Sequence, residues 1–137
     1  MHFRNPKTVH TPVAAYSHQI EVTSAARWLV LSGQIGRNLD GTVPSDPVEQ
    51  IQIALENLRL NLEEAGMRIS NIVKVTLYLV GEIDPERRRN VIDTWLGSHR
   101  PCMTLLYVSG LAAPNYRVEI DAWAAAEGEN SSFSVSS

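Results

Sequence analysis

Five stretches of the chain are predicted to be strands, and in residues 73–79 apolar and polar residues alternate, a pattern that indicates one buried face. These stretches lie at residues 18–22, 28–35, 73–79, 103–108 and 116–126. In the second stretch Leu29 and Leu31 fall on one face, and Trp28 and Val30 on the other. A short segment that includes residues 23–26 joins the first two stretches. They are therefore predicted to be neighbouring strands.

Two longer stretches follow the helical period instead. In the first, apolar residues recur at alternating spacings of three and four, at positions 48, 51, 55, 58 and 62. Asp46 is suited to cap this helix, Pro47 stands at its first position, and Gly66 ends it. The same three signals for the second helix are Asp84, Pro85 and Gly97.

The predicted order is ββαβαββ, which is an α+β domain. Right-handed crossovers place both helices on one face of the sheet. The residues of the last strand predicted to face the helices are Val118, Ile120, Ala122 and Ala124. The opposite face would carry Arg117, Glu119, Asp121 and Trp123, with Lys74, Thr76 and Tyr78. Such a mixed patch favours self-association through the sheet, and an antiparallel sheet with one solvated face is the alternative.

Composition narrows the classes of protein. The chain has 137 residues and a net charge of −3, which argues against nucleic-acid binding and against a polybasic membrane contact. With Cys102 as its one cysteine, and with no signal-peptide pattern or membrane span in the sequence, a cytoplasmic location is expected. Residues 1–11 are interpreted as an extension, 12–127 as the domain, and the Ser-rich 128–137 as a disordered tail.

A carboxylate in the middle of the last strand is the first candidate for chemistry. Glu119 lies between Val118 and Ile120 on the proposed associating face, where it could hold or activate a water. The alternative is a structural pair with Arg117, two positions away on the same face.

Ser32 and Gly33 end a strand, and a glycine there would let a ligand approach main-chain N–H groups. A simple bulge explains the same pair. Tyr16 precedes the first strand, where its phenol could orient a substrate or only pack. The sequence has no zinc-ligand spacing, no nucleophilic triad and no phosphate-binding glycine loop, so no metal or cofactor is expected.

Several short segments together resemble one family, the RidA (YjgF) imine/enamine deaminases. The segments are Pro12 to Tyr16, Ser32-Gly33-Gln34-Ile35, Gly41-Thr42-Val43-Pro44, Gln50, Asn57, residues 72–76, residues 97–101 and Val118-Glu119-Ile120. The resemblance covers about residues 12–127. It implies the chorismate-mutase-like YjgF fold, a homotrimer, and small-molecule sites in the clefts between subunits.

The resemblance also implies roles for particular residues. The glutamate that positions water is Glu119, and Tyr16, Ser32 and Gly33 complete the pocket. The chain departs from the family in the segment Pro101-Cys102-Met103-Thr104, where Met103 takes the place of the arginine that binds the substrate carboxylate. A second departure is Arg89, which aligns with an asparagine on the second helix.

Met103 offers an apolar surface, so the altered site favours a neutral ligand over an anionic one. Ligand contacts are expected from Ser32, Gly33, Met103 and Thr104. The resulting hypothesis is a cofactor-free enzyme that hydrolyses or tautomerises a small imine, enamine or carbonyl compound. The alternative is a non-catalytic trimeric module that binds a small metabolite. RNA cleavage, attributed to some relatives, is disfavoured by the acidic charge balance.

Overall fold

The computed structural model describes residues 1–128. Its strands are β1 His2–Arg4, β2 Gln19–Glu21, β3 Ala25–Ile35, β4 Ile72–Leu79, β5 Cys102–Tyr107 and β6 Val118–Glu127. Its helices are α1 Pro47–Glu64 and α2 Pro85–Leu96, with a 3₁₀ turn at Ile69–Asn71. Apart from Gly128, the tail expected at 128–137 lies outside the described residues. Neither described helix has the length and apolar character needed to cross a membrane.

Four strands form the main sheet, in the order β3-β6-β4-β5. β6 runs antiparallel to both of its neighbours, whereas β4 and β5 are parallel. α2 connects β4 to β5, and α1 connects β3 to β4. The predicted α+β arrangement, with the helices on one face, is therefore present.

The first predicted strand differs from expectation, because β2 does not pair with β3. It forms a separate two-stranded sheet with β1, from the segment interpreted as an extension. Arg4 holds this ribbon together by donating to Gln19 Oε1 at 3.0 Å and to Glu21 Oε1 at 2.6 Å. The N-terminal residues supply a pairing partner whose presence the alternation pattern alone does not reveal.

The two faces of the main sheet differ as the alternation of β6 predicts. Its inward residues, Val118, Ile120, Ala122 and Ala124, are fully buried beneath the helices. On the other face Trp28 and Trp123 meet edge to face and remain 55% and 48% exposed. The alternation of residues 73–79 would place Val73 on the same face as Val75 and Leu77, but a shift in register between Ile72 and Lys74 puts Ile72 in the core instead.

Both helices begin and end where the sequence indicates. Asp46 accepts a hydrogen bond from the Val48 N–H, and Asp84 caps α2 by accepting from the Glu86 N–H. Gly66 and Gly97 have φ of +71° and +61°, a left-handed conformation that glycine adopts without strain. The apolar positions predicted for α1 are all buried.

A buried amide fixes the loops around the start of β6. Gln50 of α1 is fully buried, and its Nε2 donates to Pro44 O at 2.8 Å and to Asn115 O at 3.0 Å. Its Oε1 accepts from the Arg117 N–H at 2.9 Å. One side chain thus satisfies three backbone groups from two loops, which would otherwise lack partners in the interior.

We predict that Gln50→Ala lowers the free energy of unfolding by about 2–4 kcal/mol, because it leaves buried polar groups unpaired and creates a cavity. Urea unfolding measures this change. Gln52→Ala is the matched control, since Gln52 is exposed on the same helix, and it should change stability by less than about 0.5 kcal/mol. Equal effects of the two substitutions would contradict the role assigned to Gln50.

Candidate functional site

A bulge in β3 brings Gly33 against Glu119. Leu31 pairs with Ala122 and Gln34 with Ile120, so Ser32 and Gly33 together face a single residue of β6. A Cβ on Gly33 would lie 2.7 Å from Glu119 Cγ and closer still to the carboxylate. The bulge expected for this pair is present, and its glycine leaves room for the glutamate side chain.

The uncovered side of the sheet holds a group of acidic and phenolic side chains around Glu119. Tyr78 pairs with Glu119 across the strands, and its hydroxyl donates to Asp121 Oδ2 at 3.1 Å. These three residues line a cavity of about 330 Å³ together with the loop that follows β5. The hydrogen bond to Asp121, aided by burial and by the charges of Asp121 and Glu119, raises the pKa of Tyr78. The phenol therefore stays protonated near neutral pH.

Glu119 is not paired with Arg117. The Arg117 guanidinium donates to Val80 O at 2.7 Å and to Glu82 O at 3.0 Å, in the loop between β4 and α2. Within residues 1–128, Glu119 forms no salt bridge. The structural alternative proposed for this carboxylate is therefore wrong, and Arg117 does not provide a free guanidinium beside it.

Met103 lies on the helix-facing side of β5. It pairs with Val75, which is in the core, and it packs against the core together with Leu105. A small cavity of about 60 Å³ adjoins Met103, and its wall includes Arg88 and Arg89 of α2. Met103 therefore shares the lining of this cavity with two arginines, although it carries no charge itself.

Tyr16 belongs to the same region as Met103. Its hydroxyl accepts from the Val13 N–H at 3.3 Å, and its ring meets His18 edge to face. The next residue, Ser17, donates to Arg100 O at 2.6 Å through its hydroxyl and to Pro101 O at 3.1 Å through its N–H. These bonds hold the Tyr16 loop against the start of β5.

Thr104 points to the uncovered side of the sheet, unlike Met103. Its Oγ1 accepts from Lys74 Nζ at 2.6 Å, and the side chain is exposed. Cys102, on the same side, is half-buried, and burial raises the pKa of its thiol. At neutral pH this cysteine is therefore a weak nucleophile.

One protomer does not bring all the predicted site residues together. Gly33 lies on one edge strand of the sheet and Met103 on the other, which are three strand spacings or about 14 Å apart across the sheet. Glu119 and Met103 face opposite sides of the sheet.

From the sequence, no role was assigned to Asp121 or Arg88. The signal for Asp121 was its position in the cross-strand register, and the signal for Arg88 was the run of arginines at 87–89. Within residues 1–128, no cluster of three or more acidic, His or Cys side chains could hold a metal.

The fold agrees with comparisons to known proteins. The sequence pattern of the Endoribonuclease L-PSP family matches residues 7–126. This chain therefore belongs to that family, which is the RidA/YjgF family.

Individual relatives agree with this assignment. A RutC family protein of Pasteurella multocida is 37% identical over 76 residues, which are 53% of this chain and 59% of that protein. A 2-iminobutanoate/2-iminopropanoate deaminase of Dermatophagoides farinae is 29% identical over 112 residues, 80% of this chain and 84% of that protein. The crystal structure of YyfB, a Rid family protein of unknown function from Yersinia pestis, superposes with a TM-score of 0.80 at 26% identity, covering 91% and 98% of the two chains.

We predict that Gly33→Ala lowers the free energy of unfolding by about 1–3 kcal/mol, because the added methyl group overlaps the Glu119 side chain. In a Glu119→Ala background the same substitution should cost less than half as much, and a double-mutant cycle of urea unfolding measures the difference. Gly110→Ala is the matched control, since a Cβ there meets nothing within 4 Å. A cost of Gly33→Ala that is unchanged without Glu119 would contradict the contact.

Proposed function

We propose that this protein is a cofactor-free enzyme that hydrolyses or tautomerises a small imine, enamine or carbonyl compound. The observation that carries the proposal is the Glu119 carboxylate, which has no ion-pair partner among residues 1–128 and is held over Gly33 at the wall of a cavity. A carboxylate in this setting can orient a water and take its proton as the water attacks a C=N carbon. The named activity of the Dermatophagoides farinae relative supports the same reaction class.

The proposed substrate lacks a carboxylate next to the reacting carbon. In the family resemblance that carboxylate is bound by an arginine at the Met103 position, and a charge-assisted contact of this kind is worth about 1.5–3 kcal/mol. Met103 is half-buried against Leu105 and the core, where it gives the ligand apolar surface instead. The substrate range is therefore proposed to differ from that of arginine-bearing relatives.

The working unit is proposed to be a homotrimer whose sites lie between subunits. Glu119 and Gly33 on one side of the sheet, and Met103 and Tyr16 on the other, can share a cleft only if two protomers supply them. The exposed apolar residues Trp28, Val30 and Trp123 on the uncovered face support association there. The expected location is the cytoplasm, and nucleic acids and membranes are not expected partners.

The first prediction of this proposal is the oligomeric state. Light scattering coupled to size-exclusion chromatography should give three times the mass of one chain at micromolar concentration. Trp123→Glu should lower that mass, because it places a charge in the proposed apolar contact. A wild-type protein that runs as a monomer would remove the basis for a site shared between subunits.

The second prediction concerns turnover. Wild-type protein should form 2-oxo acids from enzymatically generated 2-imino acids slowly or not at all, and Met103→Arg should raise that rate by restoring part of the carboxylate binding. With a panel of neutral imines the wild type should be active, and Glu119→Ala should abolish turnover.

Two outcomes would decide against the proposal. Full wild-type activity on 2-imino acids, with no gain from Met103→Arg, would show that this position does not set the substrate range. Ligand binding without turnover, together with a Glu119→Ala variant that changes only affinity, would identify the protein as the trimeric binding module.

A further inference from the structure

The start of α2 carries three consecutive arginines with different surroundings. Arg87 Nη2 lies 2.7 Å from Asp46 Oδ2, in an ion pair that ties α2 to the beginning of α1. Arg88 Nη1 donates to the Tyr107 hydroxyl at 2.8 Å, which is a neutral partner. Arg89 has no hydrogen-bond or ion-pair partner among residues 1–128. An ion pair therefore neutralises the charge of Arg87 alone, whereas Arg88 has a neutral hydrogen-bond partner and Arg89 has none among residues 1–128.

The same turn of α2 forms part of the wall of the Met103 cavity. The residues that line it include the apolar Met103, Leu105 and Ile92 and the charged Arg88, Arg89 and Asp93. Asp93 lies one helical turn from Arg89, yet the two do not come within ion-pair distance. With two arginines and one aspartate, the residues that line the cavity carry one positive charge in excess.

The size of the cavity limits what it can hold. A volume of about 60 Å³ corresponds to roughly two water molecules, so it accommodates a short apolar segment and not a whole ligand. An anionic group attached to that segment would have to lie outside the cavity, and Arg89, which is one of its lining residues, is exposed and has no partner among residues 1–128. A guanidinium is well matched there to a carboxylate, because its planar fork can donate two parallel hydrogen bonds.

We propose that Arg89 binds an anionic group of the ligand, so that the substrates are carbonyl or imine compounds whose carboxylate is separated from the reacting carbon by a short apolar spacer over Met103. This inference rests on the proposed function and names its substrate class. Met103 on β5 carries no charge. Arg89 on α2 would supply the positive charge instead, at a different distance from the reacting carbon. Arg89 is thus a specificity-determining residue.

Two isomeric ketones test the spacer. 4-Oxopentanoate has two methylene groups between its carbonyl and its carboxylate, 2-oxopentanoate has none, and 2-pentanone has no charge. Dissociation constants are measured by NMR titration of the full chain, which needs no turnover. Wild-type protein should bind 4-oxopentanoate more tightly than 2-oxopentanoate. Equal affinity, or preference for 2-oxopentanoate, would overturn the spacer.

Variants of α2 test the charge. Arg89→Gln should weaken 4-oxopentanoate binding by about three- to tenfold, a range reduced for the exposure of the guanidinium, and should leave 2-pentanone within about twofold. Arg87→Gln is the matched control: it removes the same charge from the same turn but from a side chain held by Asp46. Asp93→Asn should strengthen 4-oxopentanoate binding, because it removes the carboxylate of the cavity wall. An Arg89→Gln effect no larger than that of Arg87→Gln would overturn the assignment.

The outcome is separable from that of the proposed function. If Arg89→Gln leaves ketone binding unchanged while Glu119→Ala still abolishes imine hydrolysis, only the present inference is wrong. If Arg89 governs binding but no imine is turned over by the wild type, the anion site stands, and the protein is a binding module rather than an enzyme.

Discussion

The structure depends on one constraint, which is that both helices cover the same face of a four-stranded sheet. α1 and α2 each connect parallel strands, and right-handed crossovers place such helices on one side. The central strand β6 then has one row of residues sealed in the core and another row left uncovered. Glu119, Asp121 and Trp123 belong to the uncovered row, so the position of the candidate site follows from the direction of two crossovers.

The interior also determines where the uncovered residues lie. Gln50 holds the N–H of Arg117 and the carbonyl of Asn115, which fixes how the chain enters β6. Because side chains alternate along a strand, a shift of one residue at this point would turn Glu119 inward and bury it without a partner. Gln50, whose hydrogen bonds are satisfied inside the helix layer, thus helps to fix the register of β6. That register determines that Glu119 lies on the other side of the sheet.

Much of this fold is predictable from the sequence because its signals are local. The capping of α1 by Asp46 and the alternation of Val118, Glu119 and Ile120 each need only a few consecutive residues. The pairing of β2 with the N-terminus needs residues fifteen or more positions apart, as in the contact of Arg4 with Gln19. Arg117 is also held by residues that are distant in the sequence. Its position two residues before Glu119 does not indicate its hydrogen bonds to the loop at 80–82.

Met103 shows why alignment with a family position does not define the chemistry of a site. The family resemblance implies an arginine at the Met103 position, and its absence would remove a charge at one residue, but binding depends on the electrostatic field of every group around the ligand. In this chain two arginines of the neighbouring helix, and Asp93 with the opposite charge, line the cavity that adjoins Met103. If Arg89 binds an anion as proposed, the methionine changes where the anion is held relative to Glu119 more than whether one is held. Since Glu119 faces the other side of the sheet, that distance is set by how two protomers meet.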